Sequence, residues 1–532
     1  MWLPRYYGWS MKQFFKNTVT YIKKHPKVDF VFLGVALVVF AVIALCNITN
    51  ASIWFDEAFS AYIVRFNYLE IWQFTAADVH PPFYYWLLKT WSLLFGTTEL
   101  ALRSMSLFFA GLSISGAFLL ARKLFGRSVA SLSAVFLSIS PILIRYSDEV
   151  RMYTLATAIV LFATHALLKA LASKKSGWWI VYGILVSVGM WTHYFTAVAW
   201  IAHWAWRFVT TKKQGTFKLR FQAAYSKQWL WSYGLAVALF LPWIPAFIMQ
   251  TGQVQAGFWI GPVSINTPLN YLANFFLYLE QWQVKGWWAI ILLVILAVTI
   301  VLVPRAYKRL SATERKNYLL VVMLAWFSPA ILFVLSLPPL SPVFVERYLV
   351  PAMVMAVIFF AVTLIVGTRK WRPLWRVATA MLVVTMMVFG IFNVYKYGNY
   401  NKNSETHILT REVVEMIHEK APAGTPIIAD SPWVFYEAVF YSNDDYPVYF
   451  IDEATDYWAG SLVMLRDRDN NKIKDLEAFK AKNPVIWFIG STTNEHVSAY
   501  QESWERLRTV SAFDSLTNKS VYKATEYRVS AE

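Results

Sequence analysis

Cysteine and charge are what this sequence has least of. Its 532 residues include one cysteine, Cys46, which excludes an internal disulfide and a cysteine-based metal site. Only 15% of the residues are charged, whereas 57% are hydrophobic and 18% aromatic. A soluble core of this length could not hide so much apolar surface, so the composition predicts a multi-pass α-helical membrane protein.

Support for nucleotide or nucleic-acid binding is also missing. The sequence has no glycine-rich phosphate loop. Its net charge is +17, but the basic residues form short clusters between apolar runs, a pattern typical of membrane topology rather than of one basic patch. We therefore expect no nucleic-acid partner.

Apolar runs long enough to cross a bilayer recur along residues 29–396, the expected membrane domain. About 17 to 22 nearly uncharged residues suffice for a hydrocarbon core of roughly 30 Å. Eleven runs meet or approach this length, and the fifth and sixth are the weakest. They are 29–46, 103–121, 128–145, 152–171, 178–191, 195–209, 229–249, 287–303, 318–337, 348–366 and 375–393.

Lysine and arginine predict the orientation. They are concentrated in residues 1–28 and in alternate loops, and basic loops stay on the cytoplasmic side. We therefore expect a cytoplasmic N-terminus, a plasma (inner) membrane location and, after eleven crossings, an extracytoplasmic C-terminal domain.

The first outer loop, 47–102, is too aromatic for a simple connector. Helical spacing of apolar residues over 57–75 and 83–95 predicts two helices lying in the membrane interface, with Pro81-Pro82 starting the second. A second outer loop, 250–286, carries five glutamines and could serve as a lid. They are Gln250, Gln253, Gln255, Gln281 and Gln283.

Residues 397–532 have a mixed, soluble composition. Helical patterns at 405–420, 433–441 and 476–482 alternate with short apolar strands. The strands are expected at 426–429, 447–451 and 485–489. This alternation predicts a small α/β sandwich with a parallel sheet.

Acids and a histidine gather in the first outer loop. Asp56 and Glu57 follow the first span directly, where partial desolvation would raise the basicity of a carboxylate that acts as a general base. The alternative is a polar helix end that marks the interface. His80, fixed by the prolines after it, could donate to a phosphate or acceptor oxygen, and Asp78 could orient it or bind a sugar hydroxyl. Alternatively, His80 caps the second interfacial helix.

Two further charged segments lie at outer ends of spans. Glu149, Arg151 and Tyr153 belong to a short turn, and charges at such positions usually pair or bind ligand. The other segment, with Arg347 at its centre and Glu346 and Tyr348 on either side, heads the tenth span.

A guanidinium at the head of that span suits phosphate recognition, although a structural pair of glutamate and arginine remains an alternative. For His193, a buried structural role is at least as good an interpretation as a role in substrate binding. A divalent metal stays open but unsupported, because the acids have no metal-defining spacing.

The combination of Asp56-Glu57, Asp78-Val79-His80-Pro81-Pro82 and Glu346-Arg347-Tyr348 resembles the GT-C superfamily of polyprenyl-phosphate-sugar-dependent glycosyltransferases. The most similar members are protein O-mannosyltransferases and bacterial lipid A aminoarabinose transferases, and the resemblance is strongest over residues 50–155.

The resemblance implies an inverting transfer of a sugar from an isoprenoid phosphate to an extracytoplasmic acceptor. It makes Asp56 the catalytic base with Glu57 beside it, and gives His80 a donor-phosphate or acceptor role. It implies neither a cofactor nor an obligatory metal. The β-trefoil of eukaryotic mannosyltransferases is missing, so the acceptor stays open among lipid, glycan and protein.

A transporter or flippase of lipid-linked glycans is the alternative function, since it would also have many spans. Transporters place charges near the middle of their spans and often contain repeated halves. Here the charges lie at outer ends and no repeat is visible. These observations favour the enzyme.

Overall fold

The computed structural model describes residues 27–173, 176–212, 215–256, 260–278, 286–398, 400–401, 406–443, 445–451, 464, 471–491, 504–514, 520 and 522–529. Nearly all of the expected cytoplasmic N-terminus, 1–28, lies outside this set. Gln281 and Gln283 of the second outer loop, and the side chain of Gln255, lie outside it as well.

Within the described ranges, the chain up to residue 398 is mainly helical. In order, its helices are α1 Val28–Leu45, α2 Phe55–Ile63, α3 Tyr68–Ala77, α4 Phe83–Phe95, α5 Glu99–Phe125, α6 Arg127–Ser138, α7 Pro141–Ser147, α8 Tyr153–Ala172, α9 Gly177–Thr192, α10 Thr196–Thr210, α11 Phe217–Ala224, α12 Lys227–Phe240, α13 Ile244–Ala256, α14 Thr267–Leu277, α15 Trp287–Arg309, α16 Ala312–Val322, α17 Ser328–Leu335, α18 Val350–Gly367 and α19 Pro373–Tyr397. A π-helical turn, Met323–Phe327, joins α16 to α17, and a short 3-10 helix, Glu346–Leu349, precedes α18.

Eight helical segments in the described ranges are long and apolar enough to cross a membrane. They coincide with eight of the eleven expected spans and confirm a multi-pass membrane protein. The third expected span is the pair α6 and α7, bent by 56°, which would make nine if it crosses as one. The fifth and sixth are α9 and α10, with 16 and 15 residues. The count of eleven, and the orientation that depends on it, stay predictions.

The first outer loop folds into three short helices rather than two. The helix expected over 57–75 is broken between α2 and α3, because Asn67 starts a new helix. The Asn67 side chain accepts hydrogen bonds from the N–H groups of Leu69 and Glu70, and the Glu70 carboxylate accepts one from the Asn67 N–H. This capping box fixes the start of α3. The second expected helix, 83–95, is confirmed as α4.

The bend between α6 and α7 shapes the next outer corner. Pro141 occupies the first turn of α7, where its missing N–H costs no helical hydrogen bond. The corner that follows α7 lies against α2, and the Val150 N–H donates to a carboxylate oxygen of Glu57 at 3.0 Å. The bend therefore brings two distant predicted segments together.

The C-terminal part has a six-stranded sheet that is mixed rather than parallel. A small hairpin, β1 Tyr400–Asn401 with β2 Thr406–His407, leads into it. The sheet itself has the order β5-β4-β3-β6-β8-β7. Its elements are α20 Thr410–Lys420, β3 Ile427–Ala429, α21 Pro432–Tyr441, β4 Val448–Ile451, β5 Lys472–Ile473, α22 Leu476–Lys482, β6 Val485–Ser491, β7 Glu505–Ser511 and β8 Tyr522–Arg528.

The expected helices and strands of this domain are present, but two of the predictions about it are wrong. The strands from β5 to β6 pair in parallel, whereas β8 pairs antiparallel with both β6 and β7. The first helix begins at Thr410 rather than near residue 405, because the chain forms β2 at Thr406–His407 before the helix begins.

The C-terminal domain packs directly on the helix that carries Asp56. The ring of Tyr436 in α21 contacts the rings of Phe55, Phe59 and Tyr62 in α2, with centroids 5.0 to 6.2 Å apart. Buried residues of both parts belong to one continuous hydrophobic core. The catalytic loop expected from the sequence is thus enclosed between the membrane helices and the C-terminal domain.

The second outer loop is tied to the first through Gln250. Its amide group donates to the carbonyl oxygens of Thr75 and Ala76 at 2.7 and 3.2 Å, and its oxygen accepts from the Tyr194 hydroxyl at 2.5 Å. The lid function of 250–286 stays a prediction.

Candidate active site

Asp56 lies at the centre of a buried charged cluster. It occupies the first turn of α2, where the helix dipole favours a carboxylate. Nη1 of Arg347 lies 3.1 Å from its Oδ2, and Nε of Arg151 lies 3.9 Å from the same oxygen. The structure therefore brings together three residues that were predicted from three distant segments.

His80 and Asp78 hold Arg151 from the other side. Nη2 of Arg151 lies 3.1 Å from Nε2 of His80, and Nδ1 of His80 lies 3.1 Å from a carboxylate oxygen of Asp78. A guanidinium can only donate, so Nε2 accepts and the ring proton is on Nδ1. Arg151 also donates to the Tyr85 hydroxyl at 3.0 Å. Both ring nitrogens of His80 are thus engaged in this structure, Nε2 with Arg151 and Nδ1 with Asp78, and the role predicted for His80 toward phosphate or acceptor stays a prediction.

The charges around Asp56 set its pKa. Burial raises the pKa of the carboxyl, but Arg151, Arg347 and His80 lower it by more, so it lies below the ordinary value of 3.8. The expectation that desolvation makes Asp56 more basic is wrong for this state of the protein. Burial, followed by Arg151, lowers the pKa of His80 below 6.5, and Asp78 only partly offsets this.

Glu57 faces away from this cluster and forms a buried ion pair. Nε and Nη2 of Arg103 donate to its two carboxylate oxygens at 2.8 and 2.7 Å. Each of the two residues is 1% exposed. Both oxygens are engaged and the side chain is buried, which argues against the catalytic role predicted for Glu57. Arg103 was missed, although an arginine at the start of an uncharged span demands a buried partner.

Glu149 lies beside the cluster and pairs with Arg145, one helical turn earlier, at 3.0 Å. Arg145 in turn donates to the Tyr278 hydroxyl at 3.2 Å. Oε1 of Glu149 is buried and has no hydrogen-bond partner among the residues that the structure describes. Burial raises the pKa of Glu149, and Arg145 and Arg347 offset only part of this. Its free oxygen is available to a ligand hydroxyl.

Aromatic rings form one wall of the site. His193 lies between Tyr153 and Tyr348, with ring centroids 5.9 and 5.0 Å away, and Tyr348 stacks on Phe195 at 4.7 Å. Burial, followed by His80 and Arg151, lowers the pKa of His193 well below 6.5. A neutral, packed histidine matches the structural alternative for this residue.

Glu346, like Glu57, is a predicted site residue that the cluster does not include. In the described part of the chain it makes no hydrogen bond or ion pair, while its neighbour Arg347 contacts Asp56 and lies over the Trp54 ring at 5.6 Å. Glu346 is instead close enough to Tyr271 to raise the pKa of that hydroxyl, after the larger effect of burial.

An apolar cavity of about 520 Å³ lies next to the Arg347 segment. It is lined by residues of α14, α15, α17, α18 and the π-helical turn, including Tyr271, and by Phe344. Phe344 precedes Arg347 by three residues. A charged site and an apolar cavity side by side suit a ligand with an anionic head and a hydrocarbon tail.

The cluster offers hydrogen-bond donors that suit an anion. Two guanidinium groups flank the carboxylate of Asp56, and guanidinium groups of this kind bind phosphate or carboxylate oxygens. Within the described ranges, no group of three or more histidine, cysteine, aspartate or glutamate side chains is arranged to hold a metal ion.

Comparison with known proteins identifies the fold. Residues 79–245 match the model of the dolichyl-phosphate-mannose-protein mannosyltransferase family. ArnT from Cupriavidus metallidurans is similar in its apo state (TM-score 0.59, 15% identity) and bound to undecaprenyl phosphate (TM-score 0.57, 14% identity), over 93% of this chain and 97% of that one.

The archaeal oligosaccharyltransferase AglB from Archaeoglobus fulgidus, in complex with an inhibitory peptide and a dolichol-phosphate, is also similar. Its TM-score is 0.51 at 12% identity, over 94% of this chain and 74% of that one. None of the curated proteins matches the sequence. The shared architecture and the match over residues 79–245 agree with the resemblance seen in the motifs, and the chain has the fold of these GT-C glycosyltransferases.

Proposed function

We propose that this protein transfers a sugar from a polyprenyl phosphate to an extracytoplasmic acceptor, with inversion at the anomeric carbon. Asp56 is the base, and Arg151 and Arg347 bind the donor phosphate. Asp78 and His80 orient Arg151, while Glu149 binds a sugar hydroxyl and Tyr153, His193 and Tyr348 line the sugar site. The reaction needs no cofactor beyond its lipid-linked substrate.

The observation that carries this proposal is the position of Asp56 between Arg151 and Arg347, together with an apolar cavity whose lining includes Phe344, three residues before Arg347. Two guanidinium groups, Arg151 buried and Arg347 half-buried, suit a phosphate, which they can bind through paired hydrogen bonds. The cavity suits an isoprenoid chain. The family match supports the donor class, since that family is described by a dolichyl-phosphate-linked sugar.

In the proposed reaction an acceptor hydroxyl or amine attacks the anomeric carbon of the donor. The bond from that carbon to the phosphate oxygen breaks as the new glycosidic bond forms on the opposite face. The acceptor proton passes to the Asp56 carboxylate. The polyprenyl phosphate leaves with one more negative charge, which Arg151 and Arg347 stabilise.

Donor binding also prepares Asp56 as a base. In the state described here, the same two arginines hold the pKa of Asp56 below 3.8, which makes it a weak proton acceptor. A phosphate bound to these guanidinium groups partly cancels their charge, and the pKa of Asp56 then moves upward. Asp56 becomes basic when the donor is in place.

For the topology we propose a cytoplasmic N-terminus in the plasma (inner) membrane, with the site and the C-terminal domain outside. The distribution of basic residues between alternate loops supports this orientation. The lipid chain then stays in the outer leaflet while its phosphate reaches the arginines.

The test is complementation of a deletion strain, followed by mass spectrometry of its envelope glycans. Wild-type protein should restore one missing sugar, and Asp56→Asn should not, since it removes the base at constant volume. Asp148→Asn is the matched control, because Asp148 is also buried but contacts Asn47 and Ser147 rather than the arginines. Full complementation by Asp56→Asn at normal expression would show that Asp56 is not the base.

A further inference from the structure

The segment that leads into α2, residues 47–54, is held from two sides. On the membrane side, Arg103 donates to the carbonyl oxygens of Ile48 and Ala51 at 2.7 and 3.0 Å. On the other side, Arg411 of the C-terminal domain donates to the carbonyl oxygen of Thr49 at 3.0 Å. Because Asp56 follows this segment within a few residues, these contacts bear on its position.

Tyr441 of the C-terminal domain makes the closest connection. Its hydroxyl accepts a hydrogen bond from the N–H of Ile53 at 2.6 Å and donates one to the carboxylate of Glu99. Arg411 pairs with the same carboxylate at 3.1 Å. One phenol thus joins the chain before α2 to the first residue of α5.

Glu99 connects this contact to the active site. It precedes Arg103 by four residues on α5, so the two lie on one face of that helix. Arg103 holds Glu57 through both carboxylate oxygens, and Asp56 directly precedes Glu57 in α2. The C-terminal domain therefore reaches the catalytic carboxylate both through the backbone and through α5.

We propose that Tyr441 and Arg411 are positioning residues for Asp56, so that the C-terminal domain is an integral part of the active site. The proposal rests on the function proposed above, because it concerns the base of that reaction. Neither side chain touches the reactants. Both act by fixing residues 49–53, and with them the start of α2.

Removing the Tyr441 hydroxyl affects two groups. The Ile53 N–H belongs to a fully buried residue, and the Glu99 carboxylate loses one donor. A buried donor without a partner favours local opening of the chain, by about tenfold in the equilibrium constant. Asp56 then spends less time in the orientation that the reaction needs, and turnover falls while the phosphate contacts of Arg151 and Arg347 are kept.

The experiment compares Tyr441→Phe with Tyr446→Phe in the full-length protein. Both substitutions remove one hydroxyl from a tyrosine of the same domain. The Tyr446 hydroxyl donates only within that domain, to the carbonyl oxygens of His418 and Ala421. Amide hydrogen exchange of residues 48–57 is measured first, and kcat and the donor KM second.

In Tyr441→Phe we expect exchange over residues 48–57 to be about 10-fold faster, with kcat lowered by a similar factor and the donor KM unchanged. Tyr446→Phe should change neither. Arg411→Lys keeps a positive charge beside Glu99 but loses the forked hydrogen bonds of the guanidinium. Its exchange rate and its kcat should lie between those of the two tyrosine variants. Unchanged exchange in Tyr441→Phe, or an equal change in Tyr446→Phe, would overturn the proposal.

Exchange needs no substrate, so it separates this proposal from the proposed function. A wild-type protein that transfers no sugar would refute the function, whatever the exchange rates are. Normal exchange in Tyr441→Phe, with a wild-type protein that does transfer sugar, would refute the positioning role alone.

Discussion

Glu57→Gln should destabilise the folded protein and not only abolish its activity. The Glu57 carboxylate accepts three hydrogen bonds, two from Arg103 and one from the Val150 N–H. A glutamine can accept at its carbonyl oxygen, but its amide group would point hydrogen atoms at the donors of Arg103. The guanidinium would then be buried without a counter-charge, and breaking such a pair costs about 3 to 5 kcal/mol.

The assay is the fraction of detergent-solubilised protein that stays monodisperse after heating. Glu505→Gln is the control, since the pair of Glu505 and Arg528 is about 60% exposed and such pairs contribute only about 0 to 1 kcal/mol. Replacing both Glu57 and Arg103 by leucine should recover most of the loss, because no charge is then left unpaired. If Glu57→Gln is as heat-resistant as wild type but inactive, the structural assignment is refuted and Glu57 is catalytic after all.

Two further predictions concern pH and packing. The folded-state pKa of His80 is below 6.5, so the stability that neutral His80 provides is complete above pH 6.5 and declines as the pH falls toward the folded pKa. Turnover of the wild type should also decline as the pH falls, because protonated His80 repels Arg151. In His80→Gln this decline of turnover at low pH should be weaker. An unchanged decline would exclude His80 as its cause. Gly390→Ala should lower thermal stability by about 1 to 3 kcal/mol, because its Cβ would overlap Pro141 and lie 2.8 Å from the Phe276 carbonyl oxygen. Gly34→Ala, with no atom within 4 Å of the new Cβ, is the control, and equal heat resistance of both variants would contradict the packing argument.

The sequence predicted the segments of the site better than their contacts. Charges in almost uncharged surroundings are conspicuous, which is why Asp56, Arg151 and Arg347 could be selected. Their partners depend on which way each side chain points. Successive residues of an α-helix are turned by about 100°, so Asp56 faces the arginines of the site while Glu57 faces Arg103. The direction of neither side chain can be read from the dipeptide.

Contacts between distant segments limited the rest of the prediction. The pair of Arg145 and Glu149 has the spacing of one helical turn and was within reach of sequence reasoning. The antiparallel pairing of β8 with β6 and β7 was not, because strand pairing depends on how distant segments meet rather than on local composition. The break in the helix over 57–75 was signalled by Asn67 and Glu70, three residues apart, but the apolar spacing around them concealed it.

The hydrogen bond between the Ile53 N–H and the Tyr441 hydroxyl can form only late in the synthesis of the chain. Its two residues are 388 positions apart, and ribosomes add roughly 5 to 20 residues per second. The loop that carries Ile53 and Asp56 is therefore synthesised about 20 to 80 s before Tyr441. During that time residues 49–53 lack their contacts with the C-terminal domain, so, if Tyr441 positions Asp56 as proposed, the site is completed only after α21 has been made and has packed on α2.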